Sequence, residues 1–200
     1  MQPASRQFLA GLVLGAGGSA RLGVPKQLLK WRGKSLIANA VEQSLAVCGA
    51  GVIVVTGAEA TSVAASLRDY PVEITHNADW QTGAAGSLSA GIDALRSRTV
   101  QGLLVTLCDQ PLVTAQDLAR LAAAWERRPH IPAAARYSNI IGVPAIFPAS
   151  CFASLAALQG DTGARSLLRG VDKCTAVDIP SAALDIDTAE DMESLRGYDQ

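Results

Sequence analysis

The chain has 200 residues, of which 49% are hydrophobic and 4% aromatic, and its formal net charge is −1. This length suits one domain with a sizeable core. The charge balance argues against nucleic acid or an anionic membrane surface as a partner, because no strong positive field is available. No apolar run approaches the length of a membrane span.

The cysteines and histidines are widely spaced, which argues against a structural zinc site. They are Cys48, Cys108, Cys151 and Cys174, together with His76 and His130. We interpret the cysteines as small buried side chains in a reducing compartment. No signal-peptide pattern is evident around the first apolar run, so we expect a cytoplasmic protein.

Strand-like and helix-like segments alternate along the first part of the chain. Strands are predicted over residues 8–14, 51–56, 72–76 and 102–107, and helices over 35–46, 58–67, 87–96 and 114–126. This βαβα alternation predicts a mostly parallel sheet with helices on both faces, a three-layer α/β/α sandwich. Loops that follow parallel strands meet at one sheet edge, and ligands bind there.

The pattern changes after Glu126, where prolines bracket two short strand candidates at residues 131–136 and 144–147. Their spacing predicts a small hairpin-like insertion. A helix over residues 163–169, a strand over 175–178 and a final helix over 188–195 complete the prediction. Because neither a repeat nor a linker is evident, we expect residues 1–200 to form a single domain.

The segment Leu14–Lys26, LGAGGSARLGVPK, follows the first predicted strand and is rich in glycine. Glycine leaves room for a ligand to approach the backbone, and exposed amides in such a loop form a concavity that binds anions. Arg21 and Lys26 add two positive charges. The loop therefore predicts a polyphosphate ligand, as in a nucleotide-binding enzyme.

Two better-known phosphate loops fit this segment less well. Residues 15–20 match the dinucleotide pattern G-x-G-x-x-[GA], but Gly23 and Pro25 argue against the long helix that should follow. No acidic residue ends the second predicted strand, where that pattern requires one. A P-loop is also disfavoured, because Val24 stands where its lysine is needed.

The segment resembles the signature L-A-A-G-x-S-x-R-x-G-x-x-K of the nucleotidyltransferases that make activated sugars and cofactors, with Gly15 as the one departure. The continuation Pro25–Leu29 resembles the molybdenum cofactor cytidylyltransferases, a branch of the MobA-like nucleotidyltransferases. Five further segments agree in order, at residues 77–83, 108–111, 142–145, 160–165 and 185–191. The resemblance covers residues 8–195 and implies a Rossmann-like nucleotidyltransferase fold, with a nucleotide-binding part at 8–126 and an acceptor-binding part at 127–195.

The resemblance implies transfer of a cytidylyl (CMP) group from CTP to the phosphate of molybdenum-loaded molybdopterin, with release of pyrophosphate. A phosphate nucleophile is already anionic at neutral pH, so such catalysis rests on positioning and electrostatics. CTP and the phosphorylated pterin would be the substrates, and a molybdoenzyme client or an insertion chaperone a further partner. A guanylyltransferase, a sugar-phosphate nucleotidyltransferase and a non-catalytic nucleotide or cofactor carrier stay open as alternatives.

The resemblance also assigns roles to residues. Lys26 would contact the α-phosphate and Arg21 the β- and γ-phosphates, and Asp109 would complete the catalytic set. In this family an alanine at the position of Ala16 goes with CTP and a glycine with GTP. The nucleotide-binding residues would be Leu14, Gly15, Ala16, Gly17, Gly18, Ser19, Arg21, Lys26, Gly83 and Ser87.

Asp109 and Asp187 would hold a Mg²⁺ ion, which prefers one or two carboxylates together with phosphate oxygens and water. Asp109 closely follows the most apolar predicted strand, where a carboxylate is costly unless a cation or donors satisfy it. Asp185 competes with Asp187 for the second position, and Asp187 could instead cap the last helix. Ser87 could likewise cap the helix that it begins.

The second substrate would lie near Trp80, Gly142 and Arg165, which stand in the matching family segments. Many relatives have a histidine at the position of Val143. The resemblance therefore says less about how the acceptor is held than about the nucleotide.

Overall fold

The structure, a computed structural model, describes residues 4–169 and 173–198. Its strands are β1 (Leu9–Gly15), β2 (Lys30–Trp31), β3 (Lys34–Ser35), β4 (Val52–Thr56), β5 (Val72–His76), β6 (Gly102–Leu107), β7 (Ala133–Tyr137), β8 (Ile140–Pro148) and β9 (Thr175–Asp178). Its α-helices are α1 (Leu36–Leu45), α2 (Ala60–Ser66), α3 (Ala84–Asp93), α4 (Ala115–Arg127), α5 (Phe152–Ala156) and α6 (Ala189–Arg196). Short 3₁₀ helices cover Ala4–Phe8, Lys26–Leu28, Trp80–Thr82, Ala149–Cys151, Ala164–Leu168 and Pro180–Ala183.

Seven strands form the central sheet in the order β5-β4-β1-β6-β8-β7-β9. Neighbours are parallel throughout, except that β8 runs antiparallel to both β6 and β7. The predicted, mostly parallel sheet is therefore confirmed. The central strands are buried on both faces, which explains why β1, β4 and β6 are nearly continuous apolar runs.

Alternate residues of β1 point to opposite faces of the sheet and enter two different cores. Leu9 and Val13 pack with side chains of α1, α2 and α4. Ala10 and Leu12 pack with side chains of α3 and α5. This division confirms the three-layer sandwich and fixes the position of the carboxyl ends of the strands between the two helical layers.

The predicted hairpin is present as β7 and β8, but it belongs to the central sheet and is not an insertion beside it. β8 begins at Ile140, earlier than predicted, because the turn is only Ser138 and Asn139, both with positive φ. The pairing of β7 with β8 shifts register between Ala134 and Ala135. This irregularity lies opposite the segment that contains Pro144, so the strand continues past a residue that cannot donate a backbone hydrogen bond.

Other elements also differ from the prediction. Helix α3 begins at Ala84 and not at Ser87, because Gly83, with φ of 117°, ends the preceding 3₁₀ turn. The predicted helix over residues 163–169 is a 3₁₀ helix of five residues. The small β2–β3 hairpin and helix α5 were not predicted, since each is too short to show a periodic pattern. No helix in the described ranges is long and apolar enough to span a bilayer.

Candidate functional site

Loops that follow β1, β5 and β6 line a cleft of about 180 Å³ at the carboxyl edge of the sheet. The first loop, which we call the glycine loop (residues 15–25), contributes its first three residues. The cleft is lined by Leu14, Gly15, Ala16, Gly17, Lys26, Gln27, Trp80, Gly83, Ala84, Ser87, Leu107, Cys108 and Asp109. The structure thus brings together residues that lie far apart in the sequence.

The first part of the glycine loop is held through its carbonyl groups. The carbonyls of Gly15 and Gly17 accept hydrogen bonds from Nε2 of Gln27, at 2.9 and 2.6 Å. The carbonyl between them, that of Ala16, accepts from the backbone N–H of Ala58 at 3.0 Å. Sequence analysis gave Gln27 no role, although the residue stands in the continuation Pro25–Leu29 that resembles the family.

The second part of the glycine loop turns back on itself to place Lys26. The carbonyl of Ser19 accepts from the N–H groups of Leu22 and Gly23, both at 3.1 Å. The Ser19 hydroxyl accepts from the backbone N–H of Lys26 at 3.1 Å. Gly23 has φ of 72°, a conformation that glycine adopts without steric cost.

Lys26 lies between two carboxylates at the mouth of the cleft. Its Nζ is 2.5 Å from Oδ2 of Asp109 and 2.8 Å from Oδ1 of Asp187. The other oxygen of Asp187 accepts from Arg21 at 2.7 Å. The side chains of Lys26 and Asp109 are only 14% and 15% exposed, whereas that of Arg21 is 72% exposed. We call these four residues the charge cluster.

Lys26 and Asp187 in the charge cluster, and the nearby Asp185, have shifted pKa values. Burial alone would lower the pKa of Lys26, but the Asp109 carboxylate and the hydrogen bonds to Asp109 and Asp187 raise the pKa above its usual value. The hydrogen bond from Lys26 and the nearby positive charges lower the pKa of Asp187. Burial and the charge of Asp109 raise the pKa of Asp185 to about 6.

The opposite wall of the cleft comes from the loop after β5 and from α3. The Trp80 ring packs so closely on Gly18 and Gly57 that a Cβ on either glycine would lie 2.5–2.8 Å from Trp80 atoms. Asn77 donates to the hydroxyl of the buried Ser87 at 3.1 Å. Since α3 starts at Ala84, Ser87 does not cap it. Trp80 therefore lies against the glycine loop.

Next to the cleft, a second group of contacts joins the loop after β6 to the β7–β8 hairpin. Gln110 is 4% exposed, and its Nε2 donates to the carbonyls of Ala182, at 3.1 Å, and Val143, at 3.4 Å. The Tyr137 hydroxyl donates to the same Val143 carbonyl at 3.2 Å. Arg165 lies beside Gly142, so two of the predicted acceptor residues are neighbours.

A divalent metal fits the acidic residues of the cluster. Asp109 Oδ1 is buried without a hydrogen-bond partner in the structure, so one carboxylate oxygen lacks a donor. Among the described residues, no group of three Asp, Glu, His or Cys side chains is arranged to hold a metal by itself. Mg²⁺ needs only one or two carboxylates when phosphate oxygens and water complete its shell. Asp187 precedes the helix cap, which is Thr188 paired with Asp191, so Asp187 does not itself cap α6.

Comparison with known proteins identifies relatives along nearly the whole chain. Nicotine blue oxidoreductase from Paenarthrobacter nicotinovorans is 34% identical, over 94% of this chain and 96% of that protein. The molybdenum cofactor cytidylyltransferase of Escherichia coli is 24% identical, over 90% and 92% of the two chains.

Solved structures with the same fold also match. A homologue of Mycobacterium tuberculosis Rv0371c from Mycobacterium sp. strain JC1 superposes with a TM-score of 0.82 at 30% identity, covering 96% of this chain and 97% of that one. A manganese complex of Rv0371c itself has a TM-score of 0.77 at 26% identity, covering 94% and 97%. Residues 11–177 match the family described as the MobA-like NTP transferase domain. The chain therefore belongs to the MobA-like NTP transferase family.

Proposed function

We propose that this protein transfers a cytidylyl group from CTP to the phosphate of molybdenum-loaded molybdopterin and releases pyrophosphate. The observation that carries the proposal is the charge cluster at the mouth of the glycine-loop cleft, where Lys26 contacts both Asp109 and Asp187. The similarity to the Escherichia coli cytidylyltransferase supports a molybdenum cofactor as the acceptor, and Ala16 supports CTP as the nucleotide through the family resemblance. We further propose that the reaction takes place in the cytoplasm.

The proposed reaction is a displacement at the α-phosphorus. An oxygen of the acceptor phosphate forms a bond to that phosphorus, the bond to the β-phosphate oxygen breaks, and pyrophosphate leaves with the electron pair. Because its pKa is raised, Lys26 stays an ammonium at neutral pH and stabilises charge at the α-phosphate without acting as a base. The exposed Arg21 would hold the β- and γ-phosphates, and Leu14–Ser19 would bind the nucleotide through the loop.

Asp109 and Asp187 are the residues that we propose to hold Mg²⁺. A bound divalent cation would neutralise triphosphate charge in such a reaction. The chain's own residues orient the substrates: Gly83 and Ser87 on the wall opposite the charge cluster would bind the base and the ribose, and Ala16 would favour cytosine. The charge cluster handles groups that all nucleoside triphosphates share, so it does not by itself distinguish CTP from GTP.

A second candidate function is a redox activity, because the 34% identical relative is named as an oxidoreductase. All four cysteines are free, and burial raises the pKa of the Cys108 thiol beside Asp109, which makes a reactive thiolate there unfavourable. A redox function would therefore depend on a bound cofactor. Consumption of NADH or NADPH with an added electron acceptor tests it directly.

The first experiment is pyrophosphate release with Mg²⁺ from CTP, GTP, ATP and UTP, with and without molybdenum-loaded molybdopterin. We expect release from CTP, and only when the pterin is present. Release from GTP would indicate guanylyl transfer. Release with a sugar phosphate in place of the pterin would identify the sugar phosphate as the acceptor. No release with any nucleotide or acceptor would contradict the proposal and favour a carrier.

A further inference from the structure

Gln27 joins two parts of the glycine loop through a single side-chain nitrogen. The residue is 1% exposed, although its side chain is polar. Nε2 has two hydrogens, and each is directed to a different carbonyl, those of Gly15 and Gly17. Gln27 directly follows Lys26 in the same 3₁₀ helix. The contacts that hold the glycine loop therefore also restrain the backbone of Lys26.

These two contacts determine where the loop amides point. In a trans peptide, the C=O of one residue and the N–H of the next lie in one plane and point in opposite directions. Fixing the Gly15 and Gly17 carbonyls toward Gln27 therefore directs the N–H groups of Ala16 and Gly18 away from it. The intervening Ala16 carbonyl is held by Ala58, so three successive peptide planes are set.

We propose that Gln27 is a positioning residue for the nucleotide: it orients the glycine-loop amides toward the triphosphate without touching it. This inference rests on the proposed function, because it assumes that the loop binds phosphates. Backbone amides arranged in this way form an anion site. Because they are already oriented before the anion binds, no free energy is spent on reorienting them.

The geometry requires an amide of this length. A methionine fills similar space but leaves the carbonyls of the buried Gly15 and the exposed Gly17 without this donor, which removes the restraint on both peptide planes. An asparagine keeps the amide but is shorter by one methylene, so it cannot reach the same two carbonyls.

Gln110 provides a matched control within the same protein. It is also buried, its Nε2 also donates to two backbone carbonyls, and its Oε1, like that of Gln27, has no hydrogen-bond partner in the structure. Its carbonyl partners, however, belong to Val143 and Ala182, outside the glycine loop. A purely structural effect of losing a buried amide should therefore be similar in both variants, whereas an effect on the loop should be confined to Gln27.

The test is calorimetric titration of full-length wild type, Gln27→Met, Gln27→Asn and Gln110→Met with CTP and with inorganic pyrophosphate, below the melting temperature of each variant. We expect both Gln27 variants to lose about tenfold or more in affinity for both ligands, as the loss of oriented hydrogen bonds predicts. Gln110→Met should lose thermal stability to a similar degree but keep its affinities within about twofold. If Gln27→Met does not fold, Gln27→Asn carries the test.

Two results would overturn the inference while leaving the proposed function intact: wild-type affinity in the Gln27 variants, or an equal loss of affinity in Gln110→Met. A wild-type protein that binds neither CTP nor pyrophosphate would instead overturn the proposed function, and the inference with it.

Discussion

The glycine-loop cleft and the neighbouring hairpin region, which we call the two sides of the site, are built from different kinds of contact. On the glycine-loop side, three successive backbone carbonyls are anchored and the strands are parallel. On the hairpin side, by which we mean β7, β8 and residues 160–169, strand pairing is antiparallel and irregular. An open cavity of about 570 Å³ there is lined by Asp161, Thr162, Gly163, Arg165, Ser166 and Arg169.

This difference suggests a division of labour. A site made of oriented backbone groups recognises what all nucleoside triphosphates have in common, largely independently of side-chain identity. A site made of side chains can change its ligand by substitution. The following predictions test whether the two sides can be damaged separately.

The largest effect is expected from Lys26→Ala. Removing the buried cation should lower kcat by about a thousandfold, because charge developing at the α-phosphate loses its preorganised donor. The affinity for CTP should fall by only about tenfold, since the glycine loop and Arg21 stay in place. Steady-state kinetics and equilibrium CTP titration measure the two losses. Lys30→Ala, an exposed lysine on β2, is the control. Equal losses in turnover and affinity would favour a carrier.

The next effect separates Asp187 from Asp185. Asp187 forms ion pairs with both Lys26 and Arg21, whereas Asp185 forms an ion pair with neither of them in the described structure. We expect Asp187→Asn to lower Mn²⁺ affinity and kcat by about a hundredfold, and Asp185→Asn to have a much smaller effect. Electron paramagnetic resonance of free Mn²⁺ measures binding without turnover. The reverse order would transfer the metal role to Asp185.

Gly83 is the point where the two sides touch. A Cβ at Gly83 would lie 2.3 Å from the carbonyl atoms of Gly160, and its φ of 117° is nearly exclusive to glycine. Gly83→Ala should therefore cost about 2 kcal/mol in the free energy of unfolding and weaken the binding of both substrates. Urea unfolding measures the cost. Gly163→Ala, with open space around its Cβ position, should leave stability nearly unchanged.

Removing one hydroxyl on each side tests the division of labour most directly. Ser87→Ala deprives Asn77 of its acceptor, and Tyr137→Phe removes the donor to the Val143 carbonyl. Each loss is worth about 1 kcal/mol, or several-fold in a Michaelis constant. We expect Ser87→Ala to raise KM for CTP alone and Tyr137→Phe to raise KM for the acceptor alone. A mixed effect in both variants would contradict the division.

The smallest effect concerns stability and its pH dependence. Burial would raise the pKa of Asp117, but hydrogen bonds from Arg120, Thr114 and Ser181 lower it below the usual carboxyl value. The resulting stabilisation is complete above the unfolded-state pKa and is lost as pH falls through the lower folded-state pKa. Asp117→Asn should cost about 1 kcal/mol at neutral pH. In acid titrations followed by circular dichroism, that difference should begin to shrink near pH 4, the unfolded-state pKa, and should continue to shrink as the pH falls toward the lower folded-state pKa; a constant difference would contradict it.

Much of the fold was predictable because the strands are buried on both faces and read as apolar runs. The bounds of β5, β6 and β9 match the prediction, and those of β1, β4, α1 and α4 differ by one residue. The hairpin was less predictable, since prolines normally mark strand ends. Here the register shift opposite Pro144 lets β8 continue, and that shift depends on contacts with β7 that no local pattern encodes.

The candidate site was predictable only as far as its residues lie in short motifs. The glycine loop, Lys26 and Asp109 stand next to predicted strand ends, where the fold places ligands. Gln27 and Gln110 stand in segments that resemble the family, but they act through carbonyls 10 to 72 residues away in sequence, so the local pattern does not reveal what their side chains do. Asp187 and Asp185 have the same chemistry two positions apart, and only the position of Lys26 distinguishes them.

The placement of Lys26 has a consequence for how the site is occupied. Lys26 places its ammonium between the carboxylates of Asp109 and Asp187, the residues that we propose to hold the metal, so the protein itself supplies the counter-ion of this acidic pair. A cation that enters this carboxylate pair competes with the ammonium, and an ammonium displaced from the carboxylates is free to meet a phosphate. Under the proposed function, loading of the site would be an ion exchange, in which the positive charge of Lys26 moves from the acidic pair to the substrate and the entering cation takes its place beside the carboxylates.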